Sequence, residues 1–365
     1  MQIDYQNTTH KARAIVHHAY VMQSADMYIY ISETIIHQHV KDAHTETGAY
    51  QRVLGTRHIT MSEKIEVVAK NSTMHGEGPH WDDTTQCLYY VDYFVDVAHR
   101  YNPATGQDSQ LNLGASVLSV IIPRQKGGFV VSQKTDLSIV DSWDSGKVTT
   151  IEKVEADTNM FNDGKVDASG RLWIGSIFNG IGIDQSKWLQ GQGSLYCLEG
   201  HGSARKHLTN LSSPNGMAWT EDNSVMYFID STPRQVWAFD FDITAGAISN
   251  KRTVTDFSRF SDIPALAIPD GMNIDTEGKL WVAAYEGGKV LRIDPTTGNV
   301  IRTVKFPCEK ITSLCFGGKD FTDLYVTSSA VQMTPAELSK TPLAGSLFKV
   351  TGLGVRGRKA NMFSG

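Results

Sequence analysis

Six short runs of apolar and aromatic residues recur along this chain, and the repeat limits the possible folds more than any other feature. One aromatic residue marks each run: Tyr89, Phe129, Trp173, Tyr227, Trp281 and Tyr325. These markers lie about 40 to 54 residues apart, a period typical of propeller blades.

Each marked run follows a turn segment and precedes another alternating strand. Residues 167–170 (Asp-Ala-Ser-Gly) and 275–278 (Asp-Thr-Glu-Gly) are such turns, and residues 194–198 and 236–240 are such strands. β-Branched and aromatic residues at period two, interrupted by turn residues, favour β-strands. We predict an all-β, six-bladed β-propeller with four strands in each blade. A solenoid and two packed sandwiches are the alternatives.

A ring of blades has to close. The segment Lys-Ile-Glu-Val-Val-Ala (64–69) has strand character but precedes the first inner strand. We expect it to supply the outer strand of the last blade, whose own strands end near residues 352–355. Pairing the two chain ends in one blade removes an exposed sheet edge.

The first sixty residues differ from the rest. They hold seven of the twelve histidines and only two glycines, without a turn-punctuated strand pattern. We predict that residues 1–60 are a non-propeller extension, disordered or a product of upstream translation, and that residues 61–365 form the propeller. His37, His39 and His44 suggest a metal cluster only weakly, since no Cys or carboxylate accompanies them at ligand spacing.

Composition excludes several classes of function. The formal net charge of −5 gives no electrostatic reason to expect nucleic acid or an anionic membrane as a partner. No apolar run is long enough to span a bilayer, and the N-terminus lacks a signal-peptide pattern. The four cysteines form no CxxC pair, so we expect free thiols and a cytoplasmic location.

One position, ten to thirteen residues before each marker, carries a polar residue in every blade. Around the ring these residues are Glu77, Ser119, Asn162, Asn215, Asp270, and Thr312 or Ser313. Inner strands face the central channel, so these side chains should converge. Carboxylate and amide oxygens suit Ca²⁺, Mg²⁺ or Mn²⁺, and two carboxylates with one Asn leave positions open for water and substrate. The alternative is that Asn-Gly and Asp-Gly are ordinary tight turns.

Other polar residues near the channel are weaker candidates. We interpret Asp92 and Asp163 as structural or supporting carboxylates, and we keep Asp230 as a possible site residue. A Ser-His-Asp triad has little support, because after residue 60 only His75 and His80 flank a channel strand.

Several motifs at these positions resemble the regucalcin and gluconolactonase family, which includes the luciferin-regenerating enzymes of beetles. The matching stretches are Gly-Glu-Gly-Pro-His-Trp (76–81), Asn-Asp-Gly-Lys-Val-Asp (162–167), Ser-Pro-Asn-Gly-Met-Ala-Trp (213–219), the Tyr-Phe-Ile-Asp-Ser run to Ser231, Ile-Pro-Asp-Gly-Met (268–272), Glu-Gly-Lys-Leu-Trp-Val-Ala (277–283) and Thr-Gly-Leu-Gly-Val-Arg-Gly (351–357). The resemblance covers roughly Met61 to Gly357.

The resemblance implies a calcium-dependent propeller, also active with zinc or manganese, that hydrolyses aldonolactones. It assigns one divalent ion to Glu77, Asn215 and Asp270, and a substrate contact to Asn162. We expect calcium first, with zinc, manganese or magnesium as alternatives. In the proposed reaction Asp270 orients or deprotonates the attacking water.

Two positions depart from the family pattern. The family has an Arg two residues before the substrate-binding Asn, where this chain has Met160, and Phe-Asn-Gly (178–180) replaces the stretch that carries a lid carboxylate. Met offers no guanidinium to a sugar hydroxyl. We therefore expect a more apolar lactone or ester as substrate, and a lid over residues 177–193.

Two other classes of function stay open. One is a non-catalytic calcium-binding regulatory protein on the same propeller, and the other is a protein-interaction propeller, because a fold does not fix a function. A luciferin-regenerating activity is a narrower form of the enzyme hypothesis.

Overall fold

Six four-stranded antiparallel sheets make up the part of the chain that the structure describes. The structure is a computed structural model, and it describes residues 63–114, 117–155, 158–179, 191–200 and 203–365. The sheets form a six-bladed β-propeller, which confirms the predicted fold class. The predicted extension over residues 1–60 lies outside these residues, so it stays a prediction.

Blades 1 to 3 follow one another along the chain. Blade 1 contains β2 (Gly76–Asp82), β3 (Cys87–Asp92), β4 (Val97–Asn102) and β5 (Gln107–Asn112). Blade 2 contains β6 (Leu118–Pro123), β7 (Phe129–Gln133), β8 (Asp136–Val140) and β9 (Val148–Lys153). Blade 3 contains β10 (Asn159–Val166), β11 (Leu172–Phe178), β12 (Gly193–Leu198) and β13 (Arg205–Leu211).

Blades 4 to 6 complete the ring. Blade 4 contains β14 (Pro214–Trp219), β15 (Val225–Asp230), β16 (Gln235–Asp242) and β17 (Ala247–Asp256). Blade 5 contains β18 (Ile268–Ile274), β19 (Leu280–Tyr285), β20 (Lys289–Asp294) and β21 (Asn299–Lys305). Blade 6 contains β22 (Ile311–Gly317), β23 (Asp323–Ser328), β24 (Leu347–Thr351) and β1 (Lys64–Ala69).

The strand before blade 1 closes the ring. β1 pairs antiparallel with β24, with Lys64 opposite Thr351 and Glu66 opposite Lys349, as the sequence predicted. Each inner strand also contacts the inner strand of the next blade, and β22 contacts β2. The sheet edge of blade 6 is thus covered by the chain's own strand.

The aromatic markers are core residues between blades, as expected, and none is more than 9% exposed. In blade 6, Tyr325 stacks on Trp81 of blade 1 with ring centroids 5.5 Å apart. In blades 3 and 5 the indole nitrogens of Trp173 and Trp281 each donate a hydrogen bond of 2.9 Å to the Asp of the preceding turn. These turns therefore also fix the orientation of the core aromatic residues.

Every pairing between an inner strand and its neighbour contains a β-bulge at the same place. The register shifts between Glu77 and His80 in blade 1, and at the equivalent point in each of the other five blades. A bulge redirects side chains and bends the strand. The residues at the repeated polar position lie at or beside these bulges. This explains why they recur at a similar distance, ten to thirteen residues, before each aromatic marker.

Glycine follows several of these polar residues because the inner strands approach each other closely. A Cβ atom on Gly216 would lie 2.4 Å from the backbone nitrogen of Met272, and one on Gly271 would lie 2.1 Å from Ser313 Oγ. These Asn-Gly and Asp-Gly pairs lie inside strands, so the tight-turn alternative is wrong for them.

Few other elements are present among the described residues. Helix α1 (Pro335–Lys340) has a capping box between Thr334 and Glu337, and Phe257–Arg259 form a 3₁₀ turn. In this part of the chain no helix has the length and apolarity that a bilayer crossing requires. The four cysteines are buried free thiols.

Candidate functional site

One cavity at the centre of the ring contains all five residues to which the sequence gave a site role. It measures about 90 Å³, and its lining includes Glu77, Met160, Asn162, Asn215 and Asp270. The four polar residues lie near the beginnings of the inner strands of blades 1, 3, 4 and 5. The cavity therefore lies at the mouth of the channel where the inner strands begin.

Two buried aspartates at the ends of second strands position the strands that carry Glu77 and Asn215. Asp92 accepts hydrogen bonds from the backbone nitrogens of Met74 and His75, at 2.6 and 3.0 Å. Asp230 does the same for Ser212 and Ser213, at 3.1 and 2.7 Å. Asp230 does not line the cavity. Both aspartates therefore hold the chain in place just before an inner strand begins.

Three buried carboxylates lie close enough to affect one another. Burial, followed by the charges of Asp270 and Asp163, raises the pKa of Glu77 well above its ordinary value. Burial and the charge of Asp163 likewise raise the pKa of Asp270. Burial also raises the pKa of Asp163, although the nearby Lys165 ammonium opposes this. When ionised, three carboxylates and one ammonium leave two uncompensated negative charges, which matches a divalent cation.

The amide of Asn215 supplies a donor atom of the right kind. Its Nδ2 donates a hydrogen bond of 3.1 Å to Ser231 Oγ. Its Oδ1 is buried and accepts no hydrogen bond within the described structure. An orphaned buried carbonyl oxygen is costly unless a cation or donor satisfies it. The fixed amide orientation therefore fits Asn215 Oδ1 as a metal ligand.

The donor set consists of oxygen atoms only. No three His, Cys, Asp or Glu side chains in the described ranges are arranged to hold an ion by themselves. The amide of Asn215 is the third donor in the set that the sequence predicted beside Glu77 and Asp270. Two carboxylates and one amide are hard ligands, which suit Ca²⁺, Mg²⁺ or Mn²⁺ and also occur with Zn²⁺.

The remaining walls of the cavity are mainly apolar. Tyr93, Met160 and Ile177 belong to one buried cluster, with the partly buried Phe94 packed against it. Met160 is only 2% exposed. Ile268, Tyr285 and Val331 contribute further apolar surface. Ser213, Gln332, His75 and Asn162 add polar groups to the lining. Asn162 Nδ2 donates to the backbone oxygen of Pro214 at 2.8 Å, which leaves its carbonyl oxygen available.

His75 is a cavity residue to which the sequence assigned no role. Its Nδ1 lies 2.8 Å from Ser329 Oγ, and its ring packs against Tyr93, Phe94 and Tyr285. Burial and the charge of Lys310 lower its pKa to about 3. The ring is therefore neutral at physiological pH, and its 3.9 Å approach to Glu77 is not an ion pair.

The hydroxyl groups of Ser119 and Thr312, at the repeated polar position, have structural partners. Ser119 Oγ lies 2.6 Å from Ser132 Oγ, and Thr312 Oγ1 donates to the backbone oxygen of Gly76 at 2.5 Å. Neither contacts a histidine in the part of the chain described. These contacts give a Ser-His-Asp triad no support.

Sequence reasoning missed the aromatic wall because those residues lie outside the repeated inner-strand position. Tyr93 and Phe94 follow β3 directly, Ile177 lies near the end of β11, and Tyr285 ends β19. The ends of second strands meet the beginnings of inner strands in an antiparallel blade. That topological rule is the signal that would have identified them. The predicted lid over 177–193 lies largely outside the described residues.

Comparison with known proteins identifies relatives over most of the chain. Residues 75–330 match the model of the SMP-30/Gluconolactonase/LRE-like region. Regucalcin of Danio rerio is 42% identical over 305 residues, which are 83% of this chain and 99% of that protein.

Solved structures also superpose on most of the chain. A luciferin-regenerating enzyme superposes with a TM-score of 0.76 at 34% identity, covering 83% of this chain and 100% of that one. A calcium-binding protein, regucalcin from Agrobacterium tumefaciens, superposes with a TM-score of 0.73 at 24% identity, covering 81% and 96%. The latter likeness concerns the fold alone.

Proposed function

The chain belongs to the SMP-30/gluconolactonase/LRE-like family, and from this premise we propose that it is a metal-dependent hydrolase of a small lactone or ester. The observation that carries the proposal is the convergence of Glu77, Asn215 and Asp270 in one cavity, beside an apolar wall. Buried carboxylates without enough cationic partners are typical of a functional site.

These three residues would hold one divalent ion, with calcium as the first expectation and zinc, manganese or magnesium as alternatives. Such an ion polarises a substrate carbonyl and stabilises the negative charge that develops on its oxygen. Asn215 is suited to this role because Ser231 fixes its amide. Glu77 is held in part by the backbone nitrogen of Gly78, which donates to its Oε2 at 3.0 Å.

The chain's own residues would handle the proton and the substrate. Asp270 orients the attacking water and takes its proton, as a carboxylate within reach of the bound water can do. Water oxygen bonds to the carbonyl carbon, the ring C–O bond breaks, and the leaving alkoxide receives the proton. The product is a hydroxy acid. Asn162 positions the substrate ring through its free carbonyl oxygen.

The cavity walls support an apolar substrate rather than a sugar lactone. Met160, Tyr93 and Phe94 present carbon and sulfur atoms where a sugar would need hydrogen-bond partners. A site without partners for sugar hydroxyls rejects them, since each buried hydroxyl would stay unsatisfied. We propose a lactone or ester with an apolar ring or substituent, handled in the cytoplasm, where the four free thiols would stay reduced.

A non-catalytic calcium-binding protein is the second candidate. It is favoured by the name of a relative, since the protein of Danio rerio that is 42% identical to this chain is a regucalcin. Both candidates require the same ligands, so only turnover distinguishes them. Saturable calcium binding without hydrolysis of any lactone would favour this second function.

The experiment is hydrolysis of a lactone panel by the full chain. Rates with apolar and sugar lactones are measured after EDTA treatment and after addition of Ca²⁺, Zn²⁺, Mn²⁺ or Mg²⁺. Asp270→Ala should abolish turnover with the fold intact, whereas Asp262→Ala, which removes an exposed carboxylate before the same strand, should not. Full activity in Asp270→Ala, or equal rates with and without EDTA, would refute the proposal.

A further inference from the structure

A second cavity lies at the opposite mouth of the channel. It measures about 220 Å³ and is lined by residues near the ends of inner strands, among them His80, Lys165 and Trp219. The first cavity is lined by residues near the beginnings of the same strands. The two cavities share no lining residue, so we name the second one the floor cavity and treat it as a separate place.

The C-terminal segment forms one wall of the floor cavity. Arg358, Lys359 and Asn361 line it. Asn361 Nδ2 donates to the backbone oxygen of Val166 at 3.2 Å, and further along the chain the backbone nitrogen of Phe363 donates to Pro123 at 3.0 Å. The segment is therefore fixed to blades 2 and 3, and the basic side chains are held at the cavity.

Several of the lining side chains are hydrogen-bond donors with unused capacity. Lys165 Nζ donates to the backbone oxygen of Met272 at 2.6 Å, and an ammonium has two further protons to donate. Arg358 contacts Glu221 at 3.5 Å through Nη2, while its Nε has no partner in the described structure. Glu221 is 82% exposed, so this contact is weak.

His80 gives an independent indication of a ligand. It is only 8% exposed, it lines the floor cavity, and its imidazole makes no hydrogen bond within the described ranges. Burial lowers its pKa to about 4, so the ring is neutral and still carries one N–H donor. This N–H donor is therefore available to a ligand in the floor cavity.

The charged side chains that line the floor cavity are mostly basic. Lys165, Arg358 and Lys359 are cationic, and only Glu221 is acidic. Three further carboxylates lie nearby: Asp163 interacts with Lys165, Asp82 interacts with His80, and Asp83 lies 3.2 Å from Lys359, which is 59% exposed. The two pairs at the rim, Arg358–Glu221 and Lys359–Asp83, are partly exposed to solvent and hold their cations weakly.

We infer that the floor cavity binds a small oxyanion, a phosphate or a carboxylate, through Lys165, Arg358 and the imidazole of His80. Charge-assisted hydrogen bonds from guanidinium and ammonium groups are the usual means of recognising such anions. No residue that lines the metal-binding cavity takes part, although Lys165 also interacts with Asp163 beside that cavity, so a failed anion titration would leave the proposed hydrolase function standing.

The test is isothermal titration of the EDTA-treated full chain with sodium phosphate and with sodium acetate, each against sodium chloride at equal ionic strength. We expect saturable binding of one anion per chain. Arg358→Gln should weaken it about tenfold or more, the cost of one charge-assisted hydrogen bond. Tighter phosphate binding would indicate a phosphate ligand, and tighter acetate binding a carboxylate.

Two further variants exclude an indirect effect. Lys147→Gln removes an equal charge from an exposed turn of blade 2 and should leave binding unchanged. His80→Phe should weaken binding while the circular-dichroism melting curve shows a folded protein. The inference is overturned if phosphate and acetate bind no better than chloride, or if Arg358→Gln and His80→Phe bind with the affinity of the unmodified chain.

Discussion

Removing the charge of either of two buried aspartates of blade 5 should change the free energy of unfolding, but in opposite directions. Asp270 is 6% exposed and has no cationic side chain bonded to it in the described structure, while burial and Asp163 raise its pKa. Asp275 is fully buried and accepts hydrogen bonds from the side chains of Trp281 and Arg292 at 2.9 and 2.8 Å. In our proposal the charge of Asp270 serves a bound ion, whereas the charge of Asp275 serves the fold.

In metal-free protein at neutral pH, Asp270→Asn is therefore expected to be stabilising. The substitution keeps the shape of the side chain and removes a desolvated charge, which corresponds to a gain of about 1–2 kcal/mol in the free energy of unfolding. Asp275→Asn leaves the guanidinium of Arg292 without its buried partner. We expect it to cost about 3 kcal/mol.

The effect of Asp270→Asn should depend on pH. The folded-state pKa of Asp270 is raised above its unfolded value, so the folded chain binds this proton more tightly. The favourable contribution is present below the unfolded pKa and is lost as the pH rises toward the folded one. The stability difference between Asp270→Asn and the unmodified chain should therefore be smaller at pH 5 than at pH 7.5.

The assay is urea unfolding of EDTA-treated protein, followed by tryptophan fluorescence at both pH values. Added calcium should raise the stability of the unmodified chain and leave that of Asp270→Asn unchanged, because the variant has lost a charged ligand. The reasoning is refuted if metal-free Asp270→Asn is less stable than the unmodified chain at pH 7.5, or if both aspartates respond with the same sign.

Three further substitutions test other parts of the site. Ser231→Ala removes the acceptor that orients Asn215 and should weaken calcium binding about 10–100-fold in calorimetry; unchanged affinity would contradict that positioning role. Met160→Arg should lower kcat/KM for an apolar lactone at least about tenfold relative to Met160→Leu, since it places a charge in the apolar wall; equal values would mean that the wall does not contact the substrate. Gly271→Ala would bring a Cβ atom to 2.1 Å from Ser313 Oγ and should cost about 1–3 kcal/mol in urea unfolding, and a wild-type midpoint would show that the strands tolerate it.

The fold was predictable because its signal is repeated. Six aromatic markers at a propeller period identified the blades, and residues 64–69 identified the closing strand. Each blade buries its second strand against its neighbours, so every marker has to be large and apolar. A pattern that recurs in six places is little affected by local exceptions.

The ligand positions were predictable for a related reason. The β-bulge lies at the same point of every inner strand, so a narrow range of offsets in the sequence selects the channel-facing residue. Glu77, Asn215 and Asp270 lie 11 or 12 residues before their markers, and they line one cavity. Their roles as metal ligands remain a prediction that only binding measurements can test.

The walls were not predictable, because they come from segments that do not repeat. Tyr93 and Tyr285 reach the cavity from the ends of second strands, and His75 reaches it from the residue before β2. The basic residues at 358 and 359 reach the floor cavity only because the C-terminal segment crosses the blades. Such placements depend on tertiary packing, which periodicity does not encode.

The most direct test of the metal-dependent hydrolase is to titrate metal-free full-length protein with calcium and follow bound ion and lactone hydrolysis in the same samples. Our account predicts that activity rises in proportion to occupancy and reaches its maximum at one ion per chain. Full turnover in metal-free protein, or a filled site without any turnover of apolar or sugar lactones, would contradict it.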